Sequence, residues 1–267
     1  MKKTFLSLIL ILTMAALIGC GCKHNCANAD KDTLYQVSTL QALMMGYYDA
    51  MSTVGELKKH GDTGIGCFVG VNGELIMLDG VVYQAIHDST VLTPSDDAPI
   101  PYSTVSFFEA DMTETLENVS DIESLKEQLD KIVIENGKNL FWFVRIDGEF
   151  ENLDYRSEYE QHKPYKPLAK AMETDQTFFH NDKQSGTIVG LWCPNYMTQL
   201  NSYGWHFHFI TADKKNGGHL LGVTAKNVTA KLDKTTSFQM KLSEQADFQA
   251  LPLHTDMSKD MYEVETK

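Results

Sequence analysis

Three histidines near residue 210 have the chemical type and the spacing needed to bind a metal ion. His206 and His208 are two residues apart in a run of aromatic and β-branched residues, 204–211, which is typical of a β-strand. In a strand they point to the same face, with Cα atoms about 6–7 Å apart. Residues 214–218 (KKNGG) predict a hairpin turn, after which His219 begins the return strand.

Three imidazoles on one side of an antiparallel pair predict a catalytic Zn²⁺ site that leaves one coordination position open. Such a set does not discriminate strongly against Fe, Mn or Ni. A His-x-His pair alone is more often a surface or packing feature, and the third histidine is what favours a metal. The other histidines lack comparable spacing and are interpreted as surface or packing residues: His24, His60, His87, His162, His180 and His254.

Residues 1–19 are predicted to be a lipoprotein signal peptide. Lys2 and Lys3 precede an apolar stretch, 5–18, that is shorter than the roughly 20 residues a spanning helix needs. The stretch ends in LIGC at 17–20, which resembles a bacterial lipobox and implies cleavage before Cys20 and acylation of that cysteine. An ordinary signal peptide cut nearby is the alternative. The mature protein is therefore expected to be exported and anchored by lipid on the periplasmic or cell-surface side.

Charge and length limit what the remaining chain can be. The formal net charge is −13, and no basic run follows the signal, which argues against a nucleic-acid partner. Residues 20–33 are polar and small and fit a tether. Residues 34–267 are long enough for one catalytic domain. Cys67 and Cys193 fall in that domain, and the sequence leaves open whether they form a disulfide.

Local patterns predict an α+β protein with largely antiparallel or mixed sheets. Residues 34–51 favour a first helix, and a capping box at 120–123 favours another that ends at Asn136-Gly137. Asn72-Gly73 and Asp147-Gly148 each predict a tight hairpin turn between strands. The second half of the chain is predicted to be mostly β-strand.

Several segments, in order along the chain, resemble the acetolactate decarboxylase family. The resemblance runs from about residue 34 to the carboxyl terminus. The segments are 72–80 (NGELIMLDG), 83–84 (YQ), 139–148 (NLFWFVRIDG), 156–157 (RS), 163–168 (KPYKPL), 186–192 (GTIVGLW), Pro194, 204–210 (GWHFHFI) and 217–219 (GGH). Each segment alone is a weak signal, whereas the ordered set is specific.

The resemblance implies a fold and a reaction. The expected fold is α+β, with two tightly joined α/β parts, mixed and antiparallel β-sheets, and the metal site in the cleft between them. The expected reaction removes CO₂ from 2-acetolactate to give acetoin. Zn²⁺ held by His206, His208 and His219 would act as a Lewis acid on the enediolate that is left. Family members are commonly dimers, which leaves a homodimer open here, and no organic cofactor is needed.

The resemblance also implies three further site residues. Arg156 would hold the substrate carboxylate through two hydrogen bonds. Glu74 would lie near the metal, as an outer ligand or as an acid. Val264-Glu265 matches a hydrophobic-Glu pair near the family's carboxyl terminus, so Glu265 is preferred to Glu263. Which of the three glutamates delivers the proton stays open.

Two features depart from the family. Cys67 stands where the family usually has Thr, and a thiol close to Zn²⁺ is expected to be prone to oxidation. The lipoprotein signal is the second departure, because family members are often cytoplasmic or simply secreted. It leaves the source of the substrate open, since acetolactate is made inside the cell.

Three other functions compete with the decarboxylase. A zinc metallohydrolase could use the same three histidines, with Glu74 or Glu265 as the base. A binding lipoprotein without catalytic activity could retain the fold. A cupin-type dioxygenase also uses His-x-His on a strand, but no Glu follows His208 at the usual spacing, so it ranks last.

Overall fold

The computed structural model describes residues 31–266. The strands are β1 (Thr33–Val37), β2 (Ser52–Thr53), β3 (Thr63–Cys67), β4 (Glu74–Leu78), β5 (Val81–Ala85), β6 (Val91–Leu92), β7 (Pro99–Ile100), β8 (Tyr102–Ser106), β9 (Met112–Val119), β10 (Phe141–Glu158), β11 (Gln176–Cys193), β12 (Gly204–Thr211), β13 (Gly217–Thr235) and β14 (Ser237–Lys241). The helices are α1 (Leu40–Met44), α2 (Val54–Leu57), α3 (Ile122–Asn136), α4 (Leu168–Met172), α5 (Ala246–Gln249) and α6 (Ser258–Thr266), with 3₁₀ turns at Val69–Val71 and Asn195–Met197. Within residues 31–266, no helix combines the length and the apolar character needed to cross a membrane. The predicted signal peptide, Cys20 and most of the tether lie outside the described residues.

Two sheets make up most of the fold. Seven strands form a mixed sheet in the order β14-β1-β8-β3-β4-β5-β6, in which β1 and β14 run parallel and the other neighbours antiparallel. The second sheet is antiparallel, in the order β10-β11-β12-β13-β9. Strand β10 also pairs with β13, so these four long strands close on themselves. The α+β fold with mixed and antiparallel sheets is confirmed.

An apolar layer joins the two sheets. Side chains from the seven-stranded sheet meet side chains from the antiparallel sheet in one buried cluster, which includes Leu34, Ile65, Ile76, Phe143, Val189, Leu191 and Ile210. Each fully buried aliphatic or aromatic side chain of this kind contributes about 1.5–3 kcal/mol to folding. The layer therefore holds β4 of one sheet against β12 and β13 of the other, and the functional site lies at this junction.

Helix α3 begins and ends close to the predicted positions. Its N-cap is Asp121, whose Oδ1 accepts a hydrogen bond of 2.7 Å from the Ser124 amide, so the predicted Ser120 is not the capping residue. A carboxylate here also interacts favourably with the helix dipole. Gly137, at φ 135°, ends the helix as expected. The helix packs against β9 and β13 through Leu125, Leu129 and Val133.

The predicted first helix over 34–51 is wrong except for the short helix α1, Leu40–Met44. Thr33–Val37 forms strand β1, which lies between β8 and β14. Residues 34–37 are all buried, because both faces of this strand are covered. Their sequence therefore lacks the alternation of apolar and polar residues that would have indicated a strand. The helix starts only at Leu40, after Thr39 accepts a hydrogen bond from the Ala42 amide.

The two predicted tight hairpins are also wrong, for different reasons. Strands β3 and β4 do pair antiparallel, but Cys67 faces Glu74, so residues 68–73 form a longer connection. Asp147 and Gly148 continue strand β10 without a turn. A Cβ at Gly148 would lie 2.6 Å from Cγ1 of Val228 on the neighbouring strand. This glycine is needed for close strand packing. The prediction failed because a glycine in a turn and a glycine required for packing cannot be distinguished in the sequence.

A buried carboxyl on β13 makes stability depend on pH. Burial, with a smaller contribution from the neighbouring Asp111, raises the pKa of Asp233 from 3.8 to about 7. An acid whose folded pKa is raised stabilises the fold below its unfolded pKa and loses that contribution as the pH rises through the folded value. We expect Asp233→Asn to raise the free energy of unfolding at pH 8 by roughly 1–2 kcal/mol, because the amide has no charge to bury.

Thermal unfolding at pH 8 and pH 5 tests this expectation. The variant's gain in midpoint temperature should be larger at pH 8. An equal gain at the two values would show that the carboxyl is not held in its neutral form.

Candidate metal centre

Two adjacent strands position the three histidines. His206 and His208 are two residues apart on β12 and therefore face the same side. His208 lies directly opposite His219 of β13. Residues 212–216 connect the two strands. The predicted strand, turn and return strand are confirmed, although the return strand begins at Gly217. The turn brings three imidazoles onto one face of one β-ribbon.

The ring nitrogens converge at distances suited to a metal ion. Nε2 of His206 lies 3.1 Å from Nε2 of His208 and 3.1 Å from Nδ1 of His219. One nitrogen from each ring lies within 4.8 Å of the others. Tetrahedral coordination at about 2.0–2.1 Å places ligand nitrogens about 3.3 Å apart. The observed separations therefore fit a small divalent cation.

The contacts of the outer nitrogen in each ring determine where the ring proton lies. They therefore determine which nitrogen faces inward with a lone pair. Nδ1 of His208 donates to the Leu75 carbonyl at 2.9 Å, and Nε2 of His219 donates to the Glu265 carbonyl at 3.1 Å. Nδ1 of His206 lies 3.4 Å from Oε2 of Glu265. With the protons on these outer atoms, the three inner nitrogens are acceptors that face one another. A cation satisfies such a set, and the residues fit a bound metal.

Burial keeps these imidazoles neutral. It lowers the pKa of His206 to about 3, with a further lowering by Arg156. Burial also holds the pKa values of His208 and His219 well below 6.5, and neighbouring positive charge adds to the effect. Neutral imidazole is the form that binds metal, so the donors are ready at neutral pH.

Glu74, the first residue of β4, reaches the centre from the other sheet. Its Oε2 lies 3.3 Å from Nε2 of His208, and its Oε1 lies 3.9 Å from Nδ1 of His219. These are the inner nitrogens, so the carboxyl lies on the metal side of the rings. Burial, and next the Glu158 charge, raise the pKa of Glu74 well above its usual value. The raised pKa favours the protonated form of this carboxyl.

Arg156 lies on β10 opposite His219 and is 2% exposed. Its Nη2 donates to the Val264 carbonyl at 2.7 Å, and its Nη1 donates to Glu158. Its Nε has no hydrogen-bond partner among the described residues. A buried guanidinium with an unused donor can bind an anion.

The carboxyl-terminal helix closes the site. Met261 and Val264 of α6 pack into a cluster with α4, and this packing places Glu265 beside the histidines. Burial raises the pKa of Glu265 to about 7, while Arg156 opposes the rise. Glu265, the preferred choice over Glu263, orients His206 and His219 from behind, on the side away from Glu74.

Three cavities adjoin the site. An inner cavity of about 40 Å³ is lined by Glu74, Arg156, Glu158, His206, His219 and Glu265, among others. Two outer cavities of about 310 and 460 Å³ both border on Lys126, Tyr262 and Glu265. The inner space holds a few water-sized groups, enough for a carboxylate beside Arg156, and the 460 Å³ cavity reaches His206 and His219. Helix α6 thus lies between the two outer cavities and the inner cavity that contains Glu74.

Two buried side chains differ from the sequence predictions: Glu158 was not predicted, and Cys67 was expected to be more reactive. Glu158 lines the inner cavity and pairs with Arg156, and its position two residues after Arg156 on a strand is the signal that could have revealed it. Cys67 also lines the cavity, but burial and the nearby Glu74 raise the pKa of its thiol well above 9.0. A protonated thiol is less reactive than the sequence suggested. Cys67 and Cys193 are both free.

Comparison with known proteins adds a family to this geometry. The family model of alpha-acetolactate decarboxylase matches residues 34–255. The alpha-acetolactate decarboxylase of Methanosarcina mazei is 40% identical over 239 residues, which cover 90% of this chain and 82% of that protein. The Bacillus subtilis protein of the same name is 33% identical over 229 residues, 85% of this chain and 89% of its own.

Solved structures agree with the sequence matches. The crystal structure of alpha-acetolactate decarboxylase from Bacillus subtilis strain 168 superposes with a TM-score of 0.84 at 33% identity, covering 88% of this chain and all 100% of that one. A Staphylococcus aureus protein described as similar to alpha-acetolactate decarboxylase superposes with a TM-score of 0.77 at 28% identity, covering 87% and 100%. The family match ends before Glu265, so the assignment of this residue to the site depends on its position beside the histidines.

Proposed function

The chain belongs to the alpha-acetolactate decarboxylase family, and from that membership we propose that it converts 2-acetolactate to acetoin and CO₂ with a zinc ion held by His206, His208 and His219. The observation that carries the proposal is the convergence of three neutral imidazole nitrogens beside a buried arginine and a protonated carboxyl. This set provides a metal ligand sphere, an anion-binding group and a proton donor within one pocket.

The substrate is a 3-keto acid, and loss of CO₂ leaves an electron pair that must be stabilised. A bound divalent ion would supply Lewis-acid stabilisation of the charge on the ketone oxygen. Arg156 would hold the substrate carboxylate and fix which bond breaks, because a guanidinium can bind both carboxylate oxygens. Its burial strengthens this interaction relative to water.

We assign the proton to Glu74. The carbon that loses CO₂ must receive a proton on one face, and Glu74 is a protonated acid on the metal side of the rings. Glu265 has a different task, since its carbonyl orients His219 and its carboxylate lies against the outer nitrogen of His206. The metallohydrolase alternative is not favoured, because the family model and the relatives that match the chain are alpha-acetolactate decarboxylases.

Metal removal and reconstitution test the function. Purified full-length protein treated with EDTA should lose acetoin formation from racemic 2-acetolactate, and added zinc should restore it, because three imidazoles alone provide no Lewis acid. Elemental analysis should find one zinc per chain. Buffer with zinc but without protein corrects for spontaneous decarboxylation. A rate for zinc-loaded protein equal to this control would rule the proposal out.

We also propose that the mature protein is an exported lipoprotein anchored through Cys20. The support is the basic start, the short apolar stretch and the LIGC sequence at 17–20. Cys20→Ala should shift the protein from the membrane fraction to the soluble fraction or to an uncleaved precursor, as seen by fractionation and mass spectrometry. An unmodified Cys20 in membrane-free wild-type protein would contradict the proposal.

A further inference from the structure

Glu158 is a buried carboxylate within the site whose charge acts on Glu74 and whose contact with Arg156 none of the steps above uses. It lies two residues after Arg156 on β10, is 5% exposed, and lines the same inner cavity as Glu74 and Arg156. Its Oε1 accepts a hydrogen bond from Nη1 of Arg156, while its Oε2 has no hydrogen-bond partner among residues 31–266. Burial of such a charge is costly, so its retention calls for a specific partner.

The hydrogen bonds of Arg156 show what Glu158 does to the guanidinium. Nη1 is occupied by Glu158 and by Sδ of Met172 at 3.5 Å. Nη2 uses one donor on the Val264 carbonyl, and Nε is unused. Nε and Nη2 form one edge of the planar group, with donors that a carboxylate can accept side by side. An unused buried donor is unfavourable, and an anionic ligand would satisfy it.

Other carboxyl groups compete for the same guanidinium. The charge of Arg156 acts on Glu74 and on Glu265, which approach it from β4 and from α6. Without Glu158, the guanidinium could turn toward either group and bury the edge that a ligand needs. Glu158 is the carboxylate that bonds to it directly in this structure.

We propose that Glu158 is a positioning residue, which holds Nη1 of Arg156 so that the Nε–Nη2 edge stays free for the substrate carboxylate. This inference rests on the proposed decarboxylase function and deepens it. Glu158 also balances the charge of Arg156, so the pocket carries a neutral pair before the anionic substrate arrives. The residue thus determines how the carboxylate is held.

Two variants separate the hydrogen bond from the charge. Glu158→Met removes the acceptor and keeps the length of the side chain, whereas Glu158→Gln keeps an acceptor oxygen and removes the charge. Zinc-loaded full-length protein is titrated by calorimetry with 2,3-dihydroxy-2-methylbutanoate, a stable analogue that carries the carboxylate, and with 2,3-butanediol, which lacks it. Glu160→Gln, an exposed position two residues further on, is the matched control.

We expect Glu158→Met to weaken binding of the carboxylate analogue by about tenfold or more and to leave diol binding within about twofold, because one charge-assisted hydrogen bond positions only the carboxylate contact. Its KM should rise more than its kcat falls. Glu158→Gln should bind the analogue within about threefold of wild type. Glu160→Gln should not differ from wild type.

Equal weakening of both ligands by Glu158→Met would show a general structural role and overturn the proposal, as would unchanged binding of the analogue. If Glu158→Met does not fold, Glu158→Asp replaces it, because aspartate keeps the buried charge and withdraws the acceptor by one methylene; the same selective loss is then expected. Failure of wild-type protein to form acetoin would count against the decarboxylase function. Wild-type activity together with unchanged analogue binding in the variant would count against Glu158 alone.

Discussion

Replacing His208 by alanine should remove zinc from the protein and lower kcat/KM for acetoin formation by about 10³–10⁴-fold, the equivalent of several kcal/mol of Lewis-acid stabilisation. His208 is the most buried of the three histidines, at 1% exposure, and its ring is locked by the Leu75 carbonyl. Alanine leaves two imidazoles, which cannot hold the ion in a closed geometry. The effect should exceed that of any other single substitution in the site.

Zinc content by elemental analysis and acetoin formation are measured on the same preparation. His254→Ala is the matched control, because His254 is exposed and its side chain lies outside the metal group. It should keep both zinc and activity. A His208→Ala protein that keeps a full complement of zinc and wild-type activity would show that the three-histidine group is not the working metal site.

Replacing Glu74 by glutamine should lower kcat by about 10²–10⁴-fold with little change in KM, the usual loss when a general acid is removed. Glutamine has the shape of the protonated carboxyl and can still donate a hydrogen bond, but it cannot release a proton. Zinc should stay bound. Because burial raises the pKa of Glu74 well above its usual value, wild-type activity should persist at neutral pH and fall only as the pH rises through that raised value.

Glu265→Gln is the matched comparison for Glu74→Gln. The carboxylate of Glu265 lies against the outer nitrogen of His206, whereas its contact with His219 is through the main-chain carbonyl that the substitution keeps. Loss of the charge beside His206 should therefore act mainly on zinc affinity, by about 10–100-fold, as for other groups that orient metal ligands. Saturating zinc should then restore most of its kcat. If Glu265→Gln lost more kcat than Glu74→Gln at saturating zinc, the proton would have to come from Glu265.

Local sequence patterns were sufficient to predict the three-histidine group that could hold a metal. Alternation along β12 and a short turn determine that His206, His208 and His219 share one face, whatever the rest of the chain does. The bounds of α3 were similarly predictable, because a cap and a stop glycine act within one turn of helix. Family resemblance added Arg156, Glu74 and Glu265, which no spacing rule connects to the histidines.

Contacts distant in sequence decided what local patterns could not. Strand β1 exists because β8 and β14 flank it, and Asp147-Gly148 extends a strand because Val228 needs the space a glycine leaves. The meeting of Glu74, Arg156 and Glu265 likewise requires three separate elements to pack around β12 and β13. The roles of their carboxyl groups depend on burial and on neighbouring charge, which are properties of the packed site. Sequence therefore determined which side chains could bind the metal, and tertiary packing determined which of the surrounding groups are protonated, paired or free to meet the substrate.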